Sequence, residues 1–401
     1  MVVLVGVVAC TLVAAPGAAT SGGPDVGAGS AGWSADALSL LRRHVPQPVV
    51  IGGPGLANHP VKITDSGVVV GHSGELRLPE HAWRWQDGTT STLDGFGGDT
   101  FPVDVNEHGQ TVGWSSSSEG RGVLLWEPDG TTVVLAEPET DAWASAIDER
   151  GRVAGTLTRD GVQRAVLWHD GVTTDLGALG DGPVSTAQQD GLNERGEVVG
   201  TSWVAGRPHA FLWRDGVMTA LPTPAGATST AQGVDDRGRV LGRVDDPAGP
   251  GGPVVWAHGR LHLLDPDGHA GFVPRVMHED GLVAGRGGPS GDVPMVWERR
   301  TGLRTLPGVD GTVGDALGLG RPGLVGGFTR PGTEYTRRAV VWVLGVPMPL
   351  GERVAGSARP TDSVVSDVND QGQAVGYLWL EDQHAGDPYA VTVLWDLVPG
   401  R

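Results

Sequence analysis

Two linked patterns recur eight times along this chain of 401 residues, and a chain built that way folds as stacked copies of one unit. The first pattern is an apolar residue, often followed by Asn or Asp, then two residues, Gly, three residues and a second Gly. It runs from Ile63 to Gly71, then recurs at Val105-Asn106, Ile147-Asp148, Leu192-Asn193, Val234-Asp235, Met277, Leu319 (degenerate) and Val368-Asn369. Successive first glycines lie 42, 42, 45, 42, 43, 42 and 49 residues apart. The second pattern is a short apolar run ending in Trp85, Trp126, Trp168, Trp213, Trp256, Trp297, Trp342 or Trp395. After most of these comes a turn such as Asp87-Gly88 or Asp170-Gly171, then a run ending near Leu93, Leu135, Leu176 or an equivalent leucine.

Each copy therefore reads as four strands joined by tight turns. Gly supplies positive φ at those turns and Asn or Asp satisfies local hydrogen bonds. In Arg164-Ala165-Val166-Leu167-Trp168, Val123–Trp126 and Ala339–Trp342 both faces of the third strand are apolar. A strand buried on both faces belongs in a sheet packed between two others. Four-stranded units of this length are propeller blades. The expected fold is an all-β propeller of eight blades over residues 47–401, with a seven-bladed ring and an irregular extra unit as the alternative. The eighth copy stops after Trp395 without a fourth strand, while Pro48-Val49-Val50-Ile51 is a spare apolar run. It is expected to complete the last blade. The repeated tryptophans are expected to be core, each removing on the order of 150–250 Å² from water.

The first 46 residues read differently. Val2–Ala15 is apolar and of the length of a signal-peptide core, so 1–19 is expected to be a leader and 20–46 a linker. No Lys or Arg precedes that segment, which places the expected start codon upstream of Met1. Gly17-Ala18-Ala19 suits ordinary cleavage, whereas Val7-Val8-Ala9-Cys10 has the form of a lipobox that would lipidate Cys10. Either route leads to a secreted or cell-envelope protein. A short helix is expected at Ser34–Val45, with Leu38, Leu41 and Val45 on one face.

His209-Ala210-Phe211-Leu212-Trp213-Arg214-Asp215-Gly216 resembles the signature of the HAF repeat family of extracellular proteins. Asn193–Gly200, leading into it, and Leu176-Gly177-Ala178-Leu179-Gly180 resemble that family's repeated phrase and linker. The resemblance covers roughly residues 58–395 and implies an exported, propeller-like repeat protein. It implies no activity. At that place in the repeat, four residues before the Trp, the His-Ala pair recurs only at His81-Ala82, so that histidine is not a uniform functional residue.

Composition narrows partners. The formal net charge is -18, which repels nucleic-acid phosphates and anionic lipid. No segment of the body suits a membrane span. Cys10 is the lone cysteine, which excludes disulfides and thiolate metal sites from the body. No cofactor, metal or catalytic constellation is expected. Gly318-Leu319-Gly320-Arg321-Pro322-Gly323 matches a dinucleotide motif only by letter, since Pro322 and the absence of a following helix oppose it. Asp265-Pro266-Asp267-Gly268 reads as a turn rather than a calcium site. His72, His209, His262, His269, His278 and His384 show no metal spacing and read as surface or turn residues.

A less regular aromatic set falls near one rim: Trp114, Trp203 and Trp379 just past the second Gly of their copies, and Trp143 before its motif. Trp114, Trp203 and Trp379 are the candidates for stacking on sugar rings. The expected function is an exported, monomeric, non-catalytic binding or scaffold module for a glycan, peptide or protein. The alternative is an extracellular polysaccharide hydrolase or lyase with its site at the channel mouth. Such a site would need converging carboxylates with a His or Tyr, and Tyr335, Tyr377 and Tyr389 are the only tyrosines.

Overall fold

A computed structural model describes residues 45–398 apart from 54, 56, 76–77, 269, 310, 322, 333–334, 355–356, 358–359 and 382–387. The expected leader, Cys10, His269, Pro322, His384 and the helix expected from Ser34 up to residue 44 lie outside the described residues. Those described belong to one compact unit. Among them the protein is all-β, the sole helical turn being a 3-10 turn at Pro138–Thr140. No described helix is long and apolar enough to cross a membrane.

The strands form a β-propeller of antiparallel sheets. Six sheets have four strands each, one per copy for copies two to seven; copy two comprises Thr100–Val105, Thr111–Ser117, Gly120–Trp126 and Thr132–Ala136. A seventh sheet has eight strands. It joins the four strands of copy one (Ala57–Ile63, Val69–Gly74, His81–Gln86, Thr89–Leu93) to copy eight (Asp362–Val368, Gln373–Glu381, Pro388–Asp396). Pro48–Ile51 lies on the outer side of copy eight, with Pro48 opposite Trp395 and Val50 opposite Val393. The link between copies one and eight is a single parallel bridge, Ala57 to Ala390.

The glycines explain the registration of the two patterns. Each first Gly sits in a left-handed turn, as Gly109 does at φ +82°, and in seven copies its N–H bonds back to the carbonyl three residues before, that of an Asn or Asp in five copies, of Thr64 in copy one and of His278 in copy six. Each second Gly lies opposite a β-bulge in strand one. A Cβ there would meet a strand-one carbonyl oxygen at about 2 Å: Phe101 O for Gly113, Trp143 O for Gly155, Thr186 O for Gly200. The same gap receives an aromatic ring. Trp126, Trp168 and Trp256 reach diagonally over Gly113, Gly155 and Gly242, where a Cβ would lie 2.9, 2.4 and 2.6 Å from the ring. The absent side chain is what lets the indole seat.

Five of the repeated tryptophans, Trp126, Trp168, Trp256, Trp342 and Trp395, are buried. Trp85, Trp213 and Trp297 are only half-buried, which corrects the expectation that all eight are core. The reason is competition on one face of the strand, where residues two apart point the same way. In copies one and four, Trp83 and Phe211 stand directly opposite Gly71 and Gly200 and occupy the gap themselves. In copy six the larger Met295 holds the equivalent position. Elsewhere that position carries Leu124, Val166, Val254, Val340 or Val393, and the Trp moves in. Four of the buried indoles also donate Nε1–H to the preceding copy: Trp126 to Asp94 O, Trp256 to Pro222 O, Trp342 to Pro307 O and Trp395 to Gly351 O, at 2.7–2.8 Å.

Candidate functional site

The first strands of all eight copies line one cavity of about 700 Å³. At one end lie the turns that follow the apolar position. There the residue after the Asn or Asp position, which holds Thr64 in copy one and His278 in copy six, is acidic in seven copies: Asp65, Glu107, Glu149, Glu194, Asp236, Glu279 and Asp370. These carboxylates are chained. The backbone N–H of Asp65 donates to Glu107, Glu107 to Glu149, Glu149 to Glu194, Glu194 to Asp236 and Asp236 to Glu279. Arg321 and Asp370 continue the chain, donating to Asp370 and Asp65. Each carboxylate thus ties its copy to the one before it, so these acids are structural.

A second tie runs beneath them in two chemical versions. Asn106, Asn193 and Asn369 donate Nδ2–H to the turn carbonyl of the next copy, at Asp148, Asp235 and Thr64. An Asp cannot donate. Where Asp148 and Asp235 stand, Arg152 and Arg239 bind the carboxylate and send Nη2–H on to Glu194 O and Glu279 O. Copy seven has neither, with Gly320 at this position. Here His278 of copy six reaches past it and binds Asp370 of copy eight, Nε2 to Oδ1 at 3.1 Å, while its Nδ1 faces Asp280. Burial opposes the His278 cation, but hydrogen bonds to Asp280 and Asp370 overcome it and hold the pKa at about 9. His278 is therefore a half-buried cationic tie rather than a free surface residue, against the sequence expectation. His72 is likewise engaged, with Nδ1 3.0 Å from Glu80.

Deeper in the cavity three neighbouring copies break the repeat. The position two before Asn or Asp is Ala146, Gly191, Gly233, Val276 and Gly318 in five copies, but Asp367, Lys62 and Asp104 in copies eight, one and two. Lys62 is ion-paired with Asp104. Asp104 Oδ2 accepts the Ile147 N–H at 2.9 Å and Asp367 Oδ2 accepts that of Ile63 at 3.1 Å. Copy four adds a fourth charge. Its 45-residue spacing carries extra residues in strand one, so the register jumps from Ala187 to Leu192 and places Asp190 in the cavity. Asp190 is exposed to the cavity, which the first strands of all eight copies enclose. Enclosure raises its pKa, and Lys62 only partly offsets this. The same enclosure pushes Asp367 up to about 6. For Lys62 enclosure works the other way, but Asp104 and its neighbours outweigh it and keep the cation. On the far wall, buried Asp315 binds Arg275, with Nη2 2.9 Å from Oδ2.

The opposite end carries an aromatic arc. Strand one enters there, and strand two leaves just past its second Gly. In copies four to six this layer is Thr186/Thr201, Thr230/Arg243 and Val273/Arg286. In copies eight, one, two and three it is aromatic: Tyr377, His59 with His72, Phe101 with Trp114, and Trp143. The rings touch in sequence. Tyr377 meets His59 edge-on at 4.9 Å, Trp379 lies 6.2 Å from His59, His72 lies 4.7 Å from Phe101, and Phe101 stacks on Trp114 at 4.7 Å. The Arg121 guanidinium sits 4.7 Å from Trp114 and 4.9 Å from Trp143. At the other end Arg337, paired with Asp362, lies over Tyr377 and Phe328. All these side chains are half-buried. Burial first, then the neighbouring His72, lowers the His59 pKa and keeps its ring neutral.

Of the three sequence candidates, Trp114 and Trp379 belong to this arc. Trp203 stands apart on copy four, opposite Pro208. The two faces of Trp114 are covered by Phe101 and Arg121, so it presents an edge to solvent rather than a stacking face. Trp143 joins the arc. Tyr335 is 93% exposed and Tyr389 packs against the core of the last copies. His59, Lys62, Asp104, Asp190 and Asp367 were not singled out in the sequence, although four of them depart from their repeat position and Asp190 rides on the one long first-strand insertion. Asp265 is buried in its turn and Asp267 is exposed; among the described residues no group of three or more His, Cys, Asp or Glu side chains could hold a metal ion.

No protein-family model matches the chain, and no curated protein matches it in sequence. Among solved structures it is similar to the β-propeller domain of the trilobed protease from Pyrococcus furiosus, with 9% identity, 86% of this chain and 95% of that chain covered, and a TM-score of 0.46. It is also similar to virginiamycin B lyase from Staphylococcus aureus, with 10% identity, 87% and 98% covered, and a TM-score of 0.42. TolB from Acinetobacter baumannii matches at 11% identity over 70% of this chain and 79% of that one, with a TM-score of 0.36. These likenesses are of fold alone.

Proposed function

We propose that this protein is an exported, eight-bladed binding propeller of the HAF repeat type that holds a glycan across its aromatic arc. The blade count rests on reading the eight-stranded sheet as two blades joined at the single Ala57–Ala390 bridge, with Pro48–Ile51 as the outer strand of the last. Export and family rest on the N-terminal apolar segment and the His209–Gly216 signature. The observation that carries the glycan reading is the arc itself. Half-exposed Tyr377, His59 and Trp143 stand at one rim where copies four to six carry Thr, Val or Arg, and Trp379 lies beside them. Aromatic rings with polar edges bury the apolar faces of sugar rings while keeping hydrogen bonds to their hydroxyls.

The test is titration calorimetry against a panel of plant and bacterial envelope oligosaccharides. At least one should bind, Trp379→Ala and Trp143→Ala should each weaken it about tenfold or more, and Trp203→Ala should leave it within twofold. A panel that stays blank, or equal losses for all three variants, overturns the reading.

The enzyme reading retains one supporting observation. Asp367, raised to about 6, and Asp190, also raised, share a cavity with Lys62 and Asp104, and a carboxyl whose pKa is lifted toward neutral is what general-acid chemistry uses. Among the described residues the same cavity is lined by His278 at its turn end and by no Tyr. If the bound oligosaccharide is cut, and Asp367→Asn stops the cutting, the protein is an enzyme instead.

A further inference from the structure

Building on the glycan reading, we propose that Arg121, clamped between Trp114 and Trp143, is a subsite for an anionic substituent, so that the ligand is an acidic glycan. The clamp spans two copies. Arg121 stands on the third strand of copy two and bonds through its carbonyl to the Ala142 N–H at 2.8 Å, which brings Trp143 of copy three alongside. Phe101, Trp114, Arg121 and Trp143 form one continuous stack. Within it the guanidinium is covered on both faces and can meet a ligand only along its edge, where its N–H donors point.

The charge is unmatched. Arg337, at the other end of the arc, is neutralised by Asp362, and Arg243, Arg286 and Arg338 by Asp245, Asp292 and Glu352. Arg121 has no carboxylate partner among the described residues, and its Nε is buried without a hydrogen bond. Glu119, Glu139 and Asp141, near it in the chain, are exposed and do not pair with it. In a protein of net charge -18 with acids beside it, a cation left unpaired and pre-oriented is an unusual expenditure of stability. A planar carboxylate fits a guanidinium edge with two parallel hydrogen bonds, and a sulfate oxygen pair fits the same edge. The shared chemistry is an anion carried on a sugar ring that lies along the arc. Holding the side chain between two indoles removes most of the rotamer entropy it would otherwise lose on binding.

The experiment compares α-1,4-linked trigalacturonate, its carboxyl-reduced neutral counterpart and a sulfated galactan oligomer of similar length, by calorimetry on the full chain. The proposal expects the uronate or the sulfated sugar to bind at least tenfold tighter than the neutral one, the tighter of the two naming the anion. Arg121→Gln should abolish that preference, the charged sugars falling to the affinity that the same variant has for the neutral one. Arg121→Lys, which keeps the charge but loses the paired donors, should keep a reduced preference and serves if the Gln variant does not fold. Equal binding of charged and neutral sugars by the wild type, or a preference that survives in Arg121→Gln, overturns the role of Arg121 alone. Failure of all three, together with a blank envelope panel, overturns the glycan reading itself.

Discussion

The side chain that governs this fold is one that is missing. Each second glycine of the repeat must admit both a bulged carbonyl and, in most copies, an aromatic ring. Gly155 has a backbone φ that other residues adopt, so its requirement is space alone, with Trp143 O at 2.2 Å and Trp168 at 2.4 Å from the position a Cβ would take. Gly155→Ala should therefore cost at least as much as losing a core side chain, about 3 kcal/mol or more. Gly171→Asn, at a left-handed turn facing open space, should cost well under about 1 kcal/mol because Asn tolerates that conformation. Urea unfolding of the two variants checks the contrast. Equal losses would mean that the indole is not what excludes a methyl group. The coupling of Gly and Trp was legible in the sequence as registration. Which aromatic fills the gap was not, because Trp83 and Trp85 compete for it and only packing decides.

At the level of strands, closure depends on the N-terminal segment. Pro48–Ile51 supplies the outer strand beside Pro388–Asp396, and Ile51 packs with Leu394 and Trp83. A chain starting at Gly52 would leave the edge of Pro388–Asp396 unpaired, and open edges recruit other strands. Such a variant should melt several degrees lower and self-associate, as read by calorimetry and light scattering. An unchanged monomeric melt would remove this strand from the closure. The four-strand rhythm and the spare strand were both readable from turn residues and apolar runs. The first-strand bulges were not, since a bulge is visible only once two strands are aligned. In copy four, the long spacing announced an insertion but not that it carries Asp190 into the cavity.

Across the whole molecule, the ties between copies make stability depend on pH. The folded pKa of His278, about 9, stands above its ordinary 6.5. Its contribution is fully present below about pH 6.5 and is lost as pH rises through 9. The groups facing it set this window: Asp280 on its own turn, and Asp370 across copy seven, itself bonded to the N–H of Arg321 and donating to Asp65. Asp367 behaves with the same sign at lower pH, losing stability as pH rises from about 4 through 6, because its folded pKa is raised. Melting temperature should thus fall between pH 7 and 9 in the wild type, and His278→Gln should be less stable at pH 7 with a flatter slope over that range. A variant with the wild-type slope would assign the pH dependence elsewhere.

What the sequence determined alone is what repeats: strand count per copy, turn chemistry, apolar faces and the spare strand, because each follows from local spacing and eight copies average out the noise. The tertiary structure alone decided what departs from the repeat. Residues hundreds of positions apart, such as Asp367, Lys62 and Asp104, or Tyr377, His59 and Trp143, meet only when the last copy lies beside the first. Their juxtaposition is a property of the ring, and no window of sequence contains it.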